Sequence, residues 1–272
     1  QRQMCIRDRL AGEFDAKAPT VIIQSNAALS TLGSLSLMAN SLTLASSSSR
    51  IVAATSGTGT ATLTLGASFS NPGAIHSGDK LVLSALNITN TSTGGISALG
   101  DLKLLATQSV ENSGALYAGD ELWVQTTDPI NGRITNKATT GTMDAGGSIM
   151  LISANLTNQN TIDSAGDITL DSANLKNEIS GSIKPTVIAT DTLTLKGFNT
   201  ALNKGGLLAA DTIVITGLNG SASAFTNDPA GKTGAGIYAN TLVASGTSLT
   251  NLGSPEDPVV NTKTQTGFSR FL

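Results

Sequence analysis

One pattern constrains this 272-residue chain more than any other: a small-residue turn, then apolar–x–apolar, returning about every twenty positions. Residues 162–177, IDSAGDITLDSANLKN, show the unit whole. A turn closes on Gly166-Asp167, and Ile168 and Leu170 lie on one side of a short strand with Thr169 on the other. Asn174-Leu175 and a closing Asn177 follow. Ten anchors align: Leu42, Leu63, Leu81, Leu102, Leu122, Ile149, Ile168, Leu193, Ile213 and Leu242. Six of their nine spacings fall between 18 and 21 residues, and the other three carry loop-like insertions at 127–142, 178–185 and 219–234. A coil that keeps its length and takes its insertions at turns is the mark of a solenoid.

Two positions after the anchors stand Leu44, Leu65, Leu83, Leu104, Val124, Leu151, Leu170, Leu195, Ile215 and Ala244. Period two buries one side of a strand and exposes the other. A third inward residue falls five to nine positions beyond the anchor, as at Leu86, Val110, Leu156, Leu175, Leu202 and Leu249. The intervening Gly, Ser, Thr, Asn and Asp favour turns and strands over helix. No single coil can hide its own apolar side, so the coils must stack. The expectation is an all-β, right-handed parallel β-helix of about ten coils.

Composition fits a narrow, layered interior. Charged residues are 13% and aromatic residues 3%, against roughly 25% charged in average domains. A net charge of −3 offers no basic footprint for nucleic acid, and no apolar run approaches the roughly 18 residues of a membrane helix. Neither nucleic acid nor membrane insertion is therefore expected. Cys5 sits in Arg2-Gln3-Met4-Cys5-Ile6-Arg7-Asp8, which looks like a translated sequencing adapter, so residues 1–9 are set aside from the fold. Residues 10–20 are expected to fray, 21–253 to form the shaft, and 254–272, with Pro255 and Pro258, to be an irregular tail. The low-complexity stretches 45–49 and 55–60 read as edges and loops of a loosely specified early coil.

The pattern Ile-x-Ala/Ser-x-Gly-Asp-Ile/Leu-x-Leu-x-Ala-x-x-Leu-x-Asn, nearest at 162–177 and 96–112, resembles the repeat of filamentous-haemagglutinin-type exoproteins over about residues 70–253. The resemblance implies a β-helical shaft exported through an outer-membrane two-partner-secretion transporter. It also implies surface display toward a glycan or protein receptor on a host or neighbouring cell. Within that family the chain is expected to be the shaft of an adhesin, with the stalk of a contact-dependent growth-inhibition toxin as the alternative. A polysaccharide-degrading β-helix enzyme is a third possibility, from a different class, but the scattered basic residues argue against it.

Candidate chemistry is sparse. Asp79, Asp101, Asp120, Asp167, Asp191 and Asp211 occupy equivalent turns. Carboxylates on adjacent coils could form a calcium ladder or the paired acids of a glycosidase. Capping of turns by each aspartate is the simpler expectation. His76, the only histidine, has no companion at metal-ligand spacing, and no cofactor motif is present. The triplets at Asn87, Asn90, Asn155 and Asn219 match glycan acceptors. However, Asn90, Asn112, Asn158, Asn177, Asn203 and Asn251 close successive coils and fit a stacked asparagine ladder better. The outward position between the two core residues is expected to be threonine, yet reads Val82, Lys103, Trp123 and Met150 on four adjacent coils. This strip is a candidate contact surface. The competing expectation, slightly favoured, is that 127–142 folds back and covers Trp123.

Overall fold

The computed structural model describes residues 12–218, 223–246 and 248–252, with residues 9–10 and 260–266 described as backbone. The chain is an all-β parallel solenoid of about eleven turns, with no helix among the described residues. Each coil has three walls. Strands such as Gly95–Ala98 and Ala115–Ala118 form the first. Longer strands, such as Lys80–Asn90, Leu102–Asn112 and Ile168–Glu178, run along the second wall and bend into the third. Each strand pairs in parallel with its counterpart one coil on, for example Leu102 with both Leu81 and Leu122.

Alternation explains the interior. On the second wall Leu81, Leu102, Leu122, Ile149, Ile168, Leu193, Ile213 and Leu242 stack in one register row, all buried. The first wall contributes Ile75, Ile96, Leu116, Met143, Ile162 and Val187. The third contributes Phe69, Ile88, Val110, Ile134, Leu156 and Leu175. Stacking identical positions buries the face that one coil alone would leave wet.

Four expectations need correction. Phe14, Leu35 and Ala61, not Leu42 and Leu63, precede Leu81 in its row; Leu42 pairs with Val21 and Leu63 with Leu83. Leu-x-Leu occurs on more than one wall near the start, and Ala61 is too small to read as an anchor. In the third-wall row Ile88 stands where Leu86 was expected and Ala201 where Leu202 was, and Leu86 is exposed. The bend before the third wall varies by a residue, as in the bulge between Ala106 and Ser109, and each such change flips which parity faces inward. Of the segment 10–20 expected to fray, residues 14–20 lie in the strand Phe14–Ile23, in register with Leu35–Leu44. The 254–272 tail likewise contains a strand, Val260–Thr266, paired with Gly236–Ser245. Its alternating threonines suit a strand even though the prolines before it break the repeat pattern.

An asparagine ladder runs up the corner after the third wall. Asn71, Asn90, Asn112, Asn136, Asn158, Asn177, Asn203 and Asn227 each donate from Nδ2 to Oδ1 of the next, at 2.7–2.9 Å, and the ladder ends on Asn251 as acceptor. The second Nδ2 proton goes to a backbone carbonyl of the next coil, as from Asn112 to Thr142 at 3.0 Å and from Asn136 to Thr161 at 3.0 Å. Every amide points the same way, so a ladder residue such as Asn136 is satisfied at Oδ1 by the coil before it and at Nδ2 by the coil after it. Buried polar groups persist where they are bonded in this fashion. Asn90, one of the glycan-acceptor triplets, is thus fully engaged inside the ladder.

The turn chemistry differs from the sequence expectation in kind. Gly78, Gly100, Gly119 and Gly166 lack positive φ. Their need is space: a Cβ on Gly119 would sit 1.8 Å from the Leu99 carbonyl oxygen. Three of the six turn aspartates cap amides of a neighbouring coil, not of their own turns. Asp79 accepts from the Gly59 amide at 3.0 Å, Asp101 from Glu121 at 3.4 Å and Asp167 from Thr192 at 2.9 Å.

Candidate interaction surface

The second wall is a continuous run of paired strands, and its outward side chains fall into columns. Register places Val82, Lys103, Trp123 and Met150 on consecutive coils of one column, followed by Thr169 and Thr194. The four candidate residues are therefore neighbours, each half-buried by those above and below. Lys103 Nζ lies 4.7 Å from the centroid of the Trp123 ring, a cation–π contact of about 0.5–1 kcal/mol at an exposed site. Trp123 Nε1 donates to Gln125 Oε1 at 3.2 Å, which fixes the ring's orientation along its own strand.

The insertion within 127–142 does not end as a cover over Trp123. Its first part closes on itself, with the Ile130 and Asn131 amides donating to Asp128 Oδ1 at 3.0 and 2.9 Å, leaving Ile130 76% exposed. Those two amides hold the Asp128 carboxyl below its ordinary range. The next part forms the strand Arg133–Asn136 and rejoins the third wall. Trp123 stays partly exposed at the centre of the strip.

A second outward column lies beside the first: Ser84, Leu105, Gln125, Ile152, Asp171 and Lys196. Leu105 and Ile152 extend the apolar patch to either side of Gln125, and sequence reasoning missed both. Their signal was present, since each stands at the next outward step of period two after Lys103 or Met150. The near edge carries Lys80, bound to Asp101 at 2.9 Å, and Glu121. The hydrogen bond and the charge of Asp101 raise the Lys80 ammonium pKa. At the far edge a corner cavity of about 250 Å³ opens between Leu65, Leu86, Leu105 and Thr127.

Other candidates do not gather into one site. The His76 ring pairs with Ser97 Oγ at 2.9 Å, and among the described residues no group of three His, Cys, Asp or Glu could hold a metal ion. Asp144 and Asp163 are register partners on the first wall, both exposed, and burial followed by the charge of Asp163 raises the Asp144 pKa. Asn87 bonds Ser68 and Gln108, and Asn155 accepts from Asn174; the fourth triplet, at Asn219, lies outside the described residues. Comparison with protein-family models, with curated proteins and with solved structures finds no match to this chain.

Proposed function

We propose that the chain is a segment of the shaft of a secreted, cell-surface adhesin of the filamentous-haemagglutinin type. In this reading it is exported through an outer-membrane two-partner-secretion transporter and holds a binding tip toward a glycan or protein receptor on another cell. The observation that carries the reading is the uniformity of the coils. The same three buried rows and the same asparagine bond repeat along the described solenoid. Such a body works mechanically: about eleven turns, each adding roughly 4.8 Å, extend it about 50 Å. The strong preference of parallel crossovers for one hand makes the winding right-handed. A growth-inhibition stalk would use the same shaft. One observation favours the enzyme reading, the Asp144–Asp163 carboxylate pair on adjacent coils.

The test uses Fab fragments raised against the purified chain, applied to intact cells of the source organism. Labelling of unpermeabilised cells with blocked attachment is expected. Labelling only after permeabilisation overturns the reading. Release of new reducing ends from acidic polysaccharides, abolished by Asp144→Asn, replaces it with the enzyme.

A further inference from the structure

The outward face of the second wall is chemically lopsided about Trp123. One coil earlier it presents Asp101, Lys103 and Leu105, and two coils earlier Lys80, Val82 and Ser84. One coil later it presents Ser148, Met150 and Ile152, and two coils later Asp167, Thr169 and Asp171. Both lysines of this five-coil patch lie before Trp123. Two of its carboxylates, Asp167 and Asp171, lie after it, with Lys196 a coil further on at 3.5 Å from Asp171. The Trp123 ring faces neighbours along the shaft, with Lys103 Nζ on one side and Met150 as register partner on the other. With Lys103 Nζ over it, that face of the ring is not free to stack. That arrangement suits burial against another protein surface better than the face-on stacking a sugar ring uses.

We propose that this face docks on the same face of a second copy of the chain, with the two shafts antiparallel and the two-fold axis passing through Trp123. Reversal sets each coil before Trp123 against the equivalent coil after it. Leu105 then meets Ile152, Lys80 meets Asp167, Lys103 meets Met150, and Gln125 meets Gln125. Leu105 and Ile152 meet as apolar partners, and the lysine-bearing half of one copy covers the half of the other that carries Asp167 and Asp171, as a self-complementary isologous interface requires. A parallel pair exchanges the outer columns instead. It would place Asp101 on Leu105 and Asp167 against Asp171, burying one carboxylate on an apolar group and opposing two like charges. The antiparallel arrangement has two less favourable pairs: Glu121 against its own copy, at the edge of the patch, and Lys103 against Met150, where the ammonium already lies over the Trp123 ring.

Five coils by three columns give a footprint on the order of 400 Å² per copy, about half of the roughly 800 Å² of a standard interface. The pair is therefore weak in dilute solution and gains strength where many shafts stand side by side. This assignment does not depend on the adhesin reading, since it rests on the face alone.

The experiment has two arms, both with Cys5 replaced by Ser. Sedimentation velocity at rising concentration is expected to show a reversible dimer that Trp123→Glu abolishes and Glu121→Gln tightens several-fold. A chain that stays monomeric up to about 1 mM, or a dimer indifferent to Trp123→Glu, overturns the proposal. In the second arm Leu105→Cys and Ile152→Cys chains are oxidised separately and as a mixture. Disulfide dimers forming in the mixture at least tenfold faster than in either chain alone support the antiparallel pairing. Equal rates, or none in the mixture, overturn it.

Discussion

Removing one rung of the asparagine ladder gives the sharpest reading of what holds the coils in place. Asn136 accepts from Asn112 at 2.9 Å and donates to Asn158 at 2.9 Å and to Thr161 at 3.0 Å. It is 1% exposed, and its ladder neighbours Asn112 and Asn158 are 0% exposed. Asn136→Ala removes three hydrogen bonds, strands one Nδ2 proton of Asn112 where water cannot reach, and leaves Asn158 Oδ1 only the longer bond from the Asn160 amide at 3.3 Å. A stranded buried group costs about 1–3 kcal/mol and each further lost bond about 1 kcal/mol, so the substitution is expected to cost about 3–5 kcal/mol. Asn174 provides the control: it also bonds between coils, to Asn155 at 3.0 Å, but is exposed. Asn174→Ala should change stability by no more than about 0.5 kcal/mol. Urea titration followed by circular dichroism compares them, with hydrogen exchange locating the loss, because a solenoid can open near a lesion before it unfolds throughout. Asn136→Asp adds a pH arm. A buried carboxylate facing two acceptors has its folded pKa raised, so its penalty is full above that pKa and shrinks as pH falls through it. Acid should therefore partly rescue Asn136→Asp and leave Asn136→Ala unrescued. Equal losses in Asn136→Ala and Asn174→Ala would refute the reasoning.

Other substitutions test separate parts of the account. Gly119→Ala, which drives a Cβ to 1.8 Å from the Leu99 carbonyl oxygen, should lower stability by about 2 kcal/mol or more in the same titration. Thr126 Oγ1 is buried without a hydrogen-bond partner, so Thr126→Val should raise the midpoint, by about 1 kcal/mol. Asp144, whose pKa is raised above 3.8 by burial and by Asp163, penalises the fold at neutral pH. Asp144→Asn should then be more stable at pH 7 by about 0.5 kcal/mol or less after solvent screening. That gain should vanish as pH falls through the raised pKa, where the wild-type carboxyl takes up its proton; thermal melts between pH 3 and 7 check the sign.

What the sequence made legible follows from which signals are periodic. The row Leu102, Leu122, Ile149 and Ile168 could be read directly, because period two and the twenty-residue lap coincide there. Six ladder asparagines were legible for the same reason. Asn136 and Asn227 were not, because each lies inside an insertion that resumes the third wall as a short strand, Arg133–Asn136 or Ala224–Asp228. Asn71 opens the ladder, where the repeat is only beginning. The strip of Val82, Lys103, Trp123 and Met150 was legible as a column, since outward positions inherit the register of inward ones. The roles of the turn residues were hidden. Gly119 and Asp167 act on the coil beside them, and contacts between coils leave no trace in local spacing.

Distances along one outward column test the stacking of laps most directly. His76, Asp163, Ala209 and Tyr238 lie in the same first-wall column, with Asp163 four coils from His76, Ala209 six and Tyr238 seven. Spin labels placed pairwise at His76 and each of the other three, in dilute Cys5→Ser protein, should give separations near 19, 29 and 34 Å, rising by about 4.8 Å per coil. Separations that fail to grow with coil number, or a Tyr238 label closer to His76 than the Asp163 label, would contradict the solenoid and every assignment built on it.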